Sequence, residues 1–134
     1  MDLLARREHS AHELRQKLEK REFDSDEIEL ALGVLQKNNL QSDIRFTESY
    51  VNHRINAGLG PVKIAHELRQ RGVDSVLVDD HMSALLNDWN ELLERQRIKK
   101  YGQEIPTDYA QKMKQARFLQ NRGFSPESVM RLFR

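Results

Sequence analysis

Residues 43–79, DIRFTESYVNHRINAGLGPVKIAHELRQRGVDSVLVD, contain a helix, a glycine stop, a Gly-Pro start, a second helix, another glycine stop and the opening of a third. The first helix carries Ile44, Phe46, Tyr50, Val51 and Ile55, which at roughly 100° per residue fill about half its circumference. Gly58 stands where a left-handed residue ends a helix. Gly60 precedes Pro61, whose missing N–H costs nothing at the first helical position. Ile64, Ala65 and Leu68 follow at i, i+1, i+4 spacing, and Gly72 closes that helix. This stretch decides the fold, because the rest of the chain copies it.

Upstream, Leu3 to Glu8 reads as the tail of a helix, about half the length of its later counterparts, so the first copy is expected to lack the front of its first helix. Ser10-Ala11-His12-Glu13 and Asp24-Ser25-Asp26-Glu27 are capping boxes, each pairing an N-cap oxygen with a Glu three residues on. They open helices carrying Leu14 and Leu18, then Ile28, Leu32 and Leu35, and Ser42 caps the next. Downstream, Asp74 or Ser75 caps a helix with Val78, Met82 and Leu85. Asp88-Trp89-Asn90-Glu91 reads as a third box that breaks the pattern and starts a new helix ending at Gly102. Asp108 follows Pro106 at a restart, Gly123 stops that helix, and Ser125-Pro126 opens the last one.

Laid 50 residues apart, Leu14 meets Ile64, Leu18 meets Leu68, Phe23 meets Val73, Asp24 meets Asp74 and Ile28 meets Val78. A further 51 residues on, Leu68 meets Leu119, Gly72 meets Gly123, Val73 meets Phe124 and Val78 meets Val129. The expected fold is all-α: an elongated tandem array of three-helix repeats, spanning residues 1–41, 42–87 and 88–134.

The composition of the 134 residues agrees, with 32% charged against 38% hydrophobic, too polar for one thick core. The chain has no cysteine, which removes disulfides and thiolate metal sites, and no apolar run approaches the roughly 20 residues of a membrane span. A cytoplasmic monomer is expected, with no membrane association.

A net charge of +1 hides strong segregation. Residues 73–94 carry six acids and no Lys or Arg; residues 95–122 carry eight bases against Glu104 and Asp108, a net of +6. Lys99, Lys100, Lys112, Lys114, Arg117 and Arg122 of that segment are candidate contacts to nucleic-acid phosphates or an acidic protein groove, with Lys63, Arg69 and Arg71 as a second group. The plainer reading of the same cations is a solvated face paired with the acids just before it. Arg54 lies by angle inside the apolar arc of its helix, which suits a half-buried guanidinium bonded to helix-end carbonyls or an acid, although partner contact is also open to it. Phe46, Tyr50, Trp89 and Phe118 sit at helical spacing and read as core.

Catalytic signals are weak. His9-x-x-His12 straddles a helix start with no third metal ligand nearby, and the other histidines are isolated. The nucleophile-elbow, P-loop and dinucleotide patterns are missing, and Gly58-Leu59-Gly60 is better explained as a helix stop and start. No cofactor is expected, and the chain does not read as an enzyme.

Three stretches carry a family resemblance: Leu4–Leu18 (LARREHSAHELRQKL), Arg45–Gly72 (RFTESYVNHRINAGLGPVKIAHELRQRG) and Lys100–Gly123 (KYGQEIPTDYAQKMKQARFLQNRG). With Arg45-Phe46, the Tyr50…Arg54 pair, Gly58-x-Gly60-Pro61, Ile64-x-x-Glu67-Leu68 and Lys100-Tyr101-Gly102, the chain resembles the RecX family of regulatory proteins that inhibit the RecA recombinase. The resemblance implies a non-catalytic modulator of DNA repair and recombination. It would lie in the groove of the RecA–single-stranded DNA filament and suppress strand exchange, ATP hydrolysis and the coprotease function. Binding to single- or double-stranded DNA is also implied. The alternative is an autonomous DNA-binding module that competes with RecA for DNA.

Overall fold

The computed structural model describes residues 7–134, so most of the expected helical tail at Leu3–Glu8 lies outside the described residues. Among the described residues there are eight helices and no strands. They are α1 (Ala11–Lys20), α2 (Ser25–Lys37), α3 (Asp43–Asn56), α4 (Pro61–Gln70), α5 (Ser75–Ala84), α6 (Leu86–Tyr101), α7 (Tyr109–Asn121) and α8 (Pro126–Leu132). The chain divides into two compact units, Met1–Val51 with Glu67–His81, and Asn52–His66 with Met82–Arg134.

In the first unit, both capping boxes form. Ser10 Oγ accepts from Glu13 N at 3.1 Å while Glu13 Oε1 accepts from Ser10 N, and Asp24 and Glu27 repeat the exchange at the head of α2. With their donors satisfied, α1 and α2 close face to face over Leu14, Leu18, Ile28, Leu32 and Leu35. Ser42 Oγ accepts from Arg45 N at the start of α3, and Asp74 Oδ1 from Val76 N at the start of α5. On α3 the buried face is Phe46, Thr47 and Val51, with Thr47 Oγ1 donating to Asp43 O so that a hydroxyl can be buried. Ile44, expected on that face, is 58% exposed: it lies two turns before Val51 on the same side, in the helix's first turn, where little among the described residues covers it.

The second unit buries Leu93, Ala116, Leu119, Phe124, Val129 and Phe133 as one cluster. Asp108 and Ser125 cap α7 and α8, and Pro126 takes the first helical position. The break expected at Asp88 occurs three residues earlier. Leu85 is the N-cap of α6 with no side-chain cap, and Asp88 lies inside the first turn, where the helix dipole favours an acid. Packing sets this boundary: Trp89 is buried and its indole Nε1 donates to Met82 O at 3.1 Å, which fixes how α6 leaves the end of α5. No hydroxyl or carboxylate was needed at the break.

Each unit contains one copy of the same junction. In the first, Ser10 Oγ donates to Arg71 O at 2.7 Å, and a Cβ on Gly72 would overlap the Cβ of His12. In the second, Gly60 N donates to Arg122 O at 2.8 Å and Val62 N to Gly123 O at 2.9 Å, and a Cβ on Gly123 would overlap that of Lys63. The head of one middle helix thus rests on the glycine-bearing tail of another. The matching tail of α1 carries Glu22 in the left-handed region (φ 68) where its counterparts carry glycine. A side chain there leaves no room for a head, and Phe23 is 46% exposed where its counterparts Val73 and Phe124 are buried.

Candidate binding cleft

The second unit holds a cleft of about 210 Å³ lined by Asn56, Ala57, Gly58, Gln96, Lys99, Lys100, Phe118 and Arg122. Local rules put each group there. The end of α3 and its left-handed Gly58 (φ 86) form one wall, and a Cβ on Gly58 would strike the Gln96 side-chain amide. Lys99 and Lys100 occupy the last turn of α6, where the dipole favours cations. Arg122 is the C-cap of α7, and its guanidinium reaches Ala57 O with a long 3.5 Å contact.

Phe118 organises the charges. Its ring meets Tyr101 edge-on at 5.6 Å, and both Lys100 Nζ and Arg122 Cζ lie 5.3 Å from its centroid. At these distances the ring quadrupole attracts both cations and partly offsets their mutual repulsion. The lining holds three cations and no carboxylate. The cleft can therefore neutralise an anionic group, and it offers the amides of Asn56 and Gln96 as additional donors and acceptors.

Of the residues singled out in the sequence, the cleft gathers Lys99, Lys100 and Arg122. Lys112 is half-buried and Lys114 and Arg117 are exposed on α7, none of them lining it. Lys63 is exposed on α4 in the same unit, its Cβ against Gly123. Arg69 and Arg71 belong to the first unit. Arg69 pairs with Asp79 at 2.6 Å, an exposed ion pair of small net worth, while Arg71 sits 4.7 Å over the Tyr50 ring and 3.7 Å from Glu13. Arg54 is half-buried on α3.

Arg97, one of the eight bases counted in residues 95–122, is 1% exposed. Its Nη1 donates to Gly102 O and Glu104 O, both at 3.2 Å, and Nη2 to Gln103 O at 3.0 Å. These carbonyls belong to the C-cap residue and the loop that follows α6, so the guanidinium ties that loop to the helix. A signal existed, since Phe46 to Arg54 and Trp89 to Arg97 share the same aromatic-to-arginine spacing. Phe118, read as core, proves half-buried between its cations; its i, i+4 relation to Arg122 was the legible hint.

The His9-x-x-His12 pair is not left open toward a metal. His9 is buried, with Nδ1 donating to Arg7 O at 3.0 Å and Nε2 accepting from Lys17 Nζ at 2.9 Å. Burial, then the charges of Arg7 and Lys17, lower its pKa, outweighing the Arg7 carbonyl and Glu13. Burial alone would raise Glu13, but hydrogen bonds from the Arg7 side chain and Ser10 N–H and the charges of Arg7 and His9 hold it below the ordinary carboxylate value. Because His9 binds its proton more weakly folded than unfolded, stability is complete above about pH 6.5 and falls as pH drops through the depressed folded value. Melting temperature should decline between about pH 7 and pH 5 more steeply in the natural chain than in His9→Gln. Equal slopes would show that His9 is not the group responsible. The Glu13 contribution is lost only at lower pH, below the usual carboxylate range.

The described residues are thus all helical, and the second unit carries a basic cleft whose lining holds no carboxylate. Family models described as the first, second and third three-helix domains of RecX match residues 1–35, 42–82 and 88–133. The regulatory protein RecX of Halorhodospira halophila is 40% identical over 127 residues, covering 95% of this chain and 79% of that protein. That of Pseudomonas entomophila is 42% identical over 132 residues, covering 98% and 85%. Among solved structures, a crystal structure of regulatory protein RecX superposes with a TM-score of 0.80 at 25% identity, covering 98% of this chain and 67% of that one. RecX from Lactobacillus salivarius superposes at 0.76 with 22% identity, covering 98% and 90%. The chain belongs to the RecX family.

Proposed function

We propose that the protein regulates DNA repair and recombination by binding the RecA–single-stranded DNA filament and inhibiting RecA's strand exchange, ATPase and coprotease activities. The observation that carries this reading is the match to all three RecX domain models in tandem order. The cation-lined cleft supports it, as a contact suited to a polyanionic nucleoprotein surface. In this reading the protein acts as a monomer in the cytoplasm with no reaction of its own, and its repeats span residues 1–41, 42–87 and 88–134. Such a regulator works by binding one state of the filament more tightly than another, so that the populations shift. Among the described residues no helix is long and apolar enough to cross a membrane, and no group of His, Asp and Glu could hold a metal.

The test is inhibition of RecA ATPase with single-stranded DNA in large excess. A filament binder keeps inhibiting, whereas a competitor for DNA is titrated away. Reversing Lys99, Lys100 and Arg122 to Glu should leave helicity nearly unchanged and slow association with the filament roughly tenfold at low salt, less at high salt. The companion reversal of Lys112, Lys114 and Arg117 measures what the rest of the basic segment adds. Association at the natural rate in both would move the contact elsewhere, with Arg54, Lys63, Arg69 and Arg71 next to be tested.

A further inference from the structure

The cleft is built for a single anionic group flanked by hydrogen-bond donors. A surface that tracks a nucleic-acid strand combines a run of cations with aromatic faces left open for bases. Here the one lining aromatic, Phe118, already carries Lys100 and Arg122 at 5.3 Å and meets Tyr101 edge-on. It supports cations instead of offering itself to a base. The three lining cations converge on one volume of about 210 Å³, which Lys112, Lys114 and Arg117 do not line.

The walls also offer acceptors. Ala57 O, at the end of α3 where helix carbonyls lack intrahelical donors, receives a long 3.5 Å contact from Arg122. The side-chain amides of Asn56 and Gln96 each present a carbonyl as well as an NH2. A phosphodiester backbone brings acceptors alone. An extended acidic peptide brings a carboxylate together with backbone N–H groups, and so uses both halves of the lining.

We infer that this cleft receives a carboxylate side chain from an extended acidic segment of a partner protein. Lys99, Lys100 and Arg122 hold the carboxylate, while Ala57 O and the amides of Asn56 and Gln96 take the segment's backbone. The inference rests on the filament-regulator reading for its biological partner, but its test contains no filament, so either can fail alone.

The experiment titrates the isotope-labelled full chain with an acetylated glutamate–leucine dodecapeptide and, separately, with a thymidine dodecamer, following the amides of Gly58, Gln96 and Phe118 by NMR. The peptide should shift these resonances saturably at sub-millimolar to millimolar concentration. Lys100→Gln combined with Arg122→Gln should weaken it roughly tenfold or more, and Lys20→Gln combined with Lys37→Gln by less than about twofold. The inference is overturned if millimolar peptide leaves the cleft resonances unmoved. It is also overturned if the two double variants weaken binding equally, or if the oligonucleotide shifts the same residues at lower concentration than the peptide.

Discussion

Gly123→Val is expected to destabilise the protein by about 3–5 kcal/mol, combining left-handed backbone strain for a β-branched residue with overpacking. Gly123 has φ 101, and a Cβ there meets not only the Lys63 side chain but also Lys63 N at 3.0 Å and Gly60 O at 3.2 Å. Backbone cannot swing aside as a flexible side chain can. To admit the new atoms, the head of α4 must lift, and the bonds from Gly60 N to Arg122 O and Val62 N to Gly123 O go with it. Glu22 supplies the contrast at the matching position of the first repeat. It bears the same kind of strain with φ 68 and no junction, so Glu22→Gly should stabilise by about 1 kcal/mol. Urea denaturation of the full chain measures both. If Gly123→Val leaves the urea stability unchanged, the junction does not hold the second unit together.

Arg97 should be the most sensitive charged residue in the protein. Arg97→Ala removes three charge-assisted bonds to the carbonyls of residues 102–104 and leaves a cavity, against which stands relief of a buried guanidinium whose Nε finds no partner. Those carbonyls belong to exposed residues and can be rehydrated, so the expected net loss is about 2–4 kcal/mol. Arg97→Lys should lose nearly as much, because one ammonium cannot span three carbonyls as a planar guanidinium does. Arg97→Met would restore packing without the bonds and fall between. Thermal or urea unfolding orders the series, and a methionine variant as stable as the natural chain would show that the carbonyl bonds contribute nothing net. Because the tethered segment links α6 to α7, these variants should also weaken anion binding at Lys99, Lys100 and Arg122.

Much of this architecture was legible because it is made by short-range chemistry. The caps at Ser10, Asp24, Ser42, Asp74, Asp108 and Ser125 act on N–H groups two or three residues away, and the stops at Gly58, Gly72 and Gly123 answer to a local φ. The 50-residue echo between repeats, and the segregation of acids from bases, are likewise properties of the linear chain. Tertiary structure decided what helical angle alone cannot. A position on a helix face does not say what lies opposite it, so Ile44 came out exposed and Arg97 buried. The α5–α6 break fell at Leu85 because Trp89 had to reach Met82 O, a packing demand that outweighed the box at Asp88. Phe118, Gln96 and Gly58 became one cleft only when α3, α6 and α7 brought together residues some 60 positions apart, and no spacing rule reaches that far.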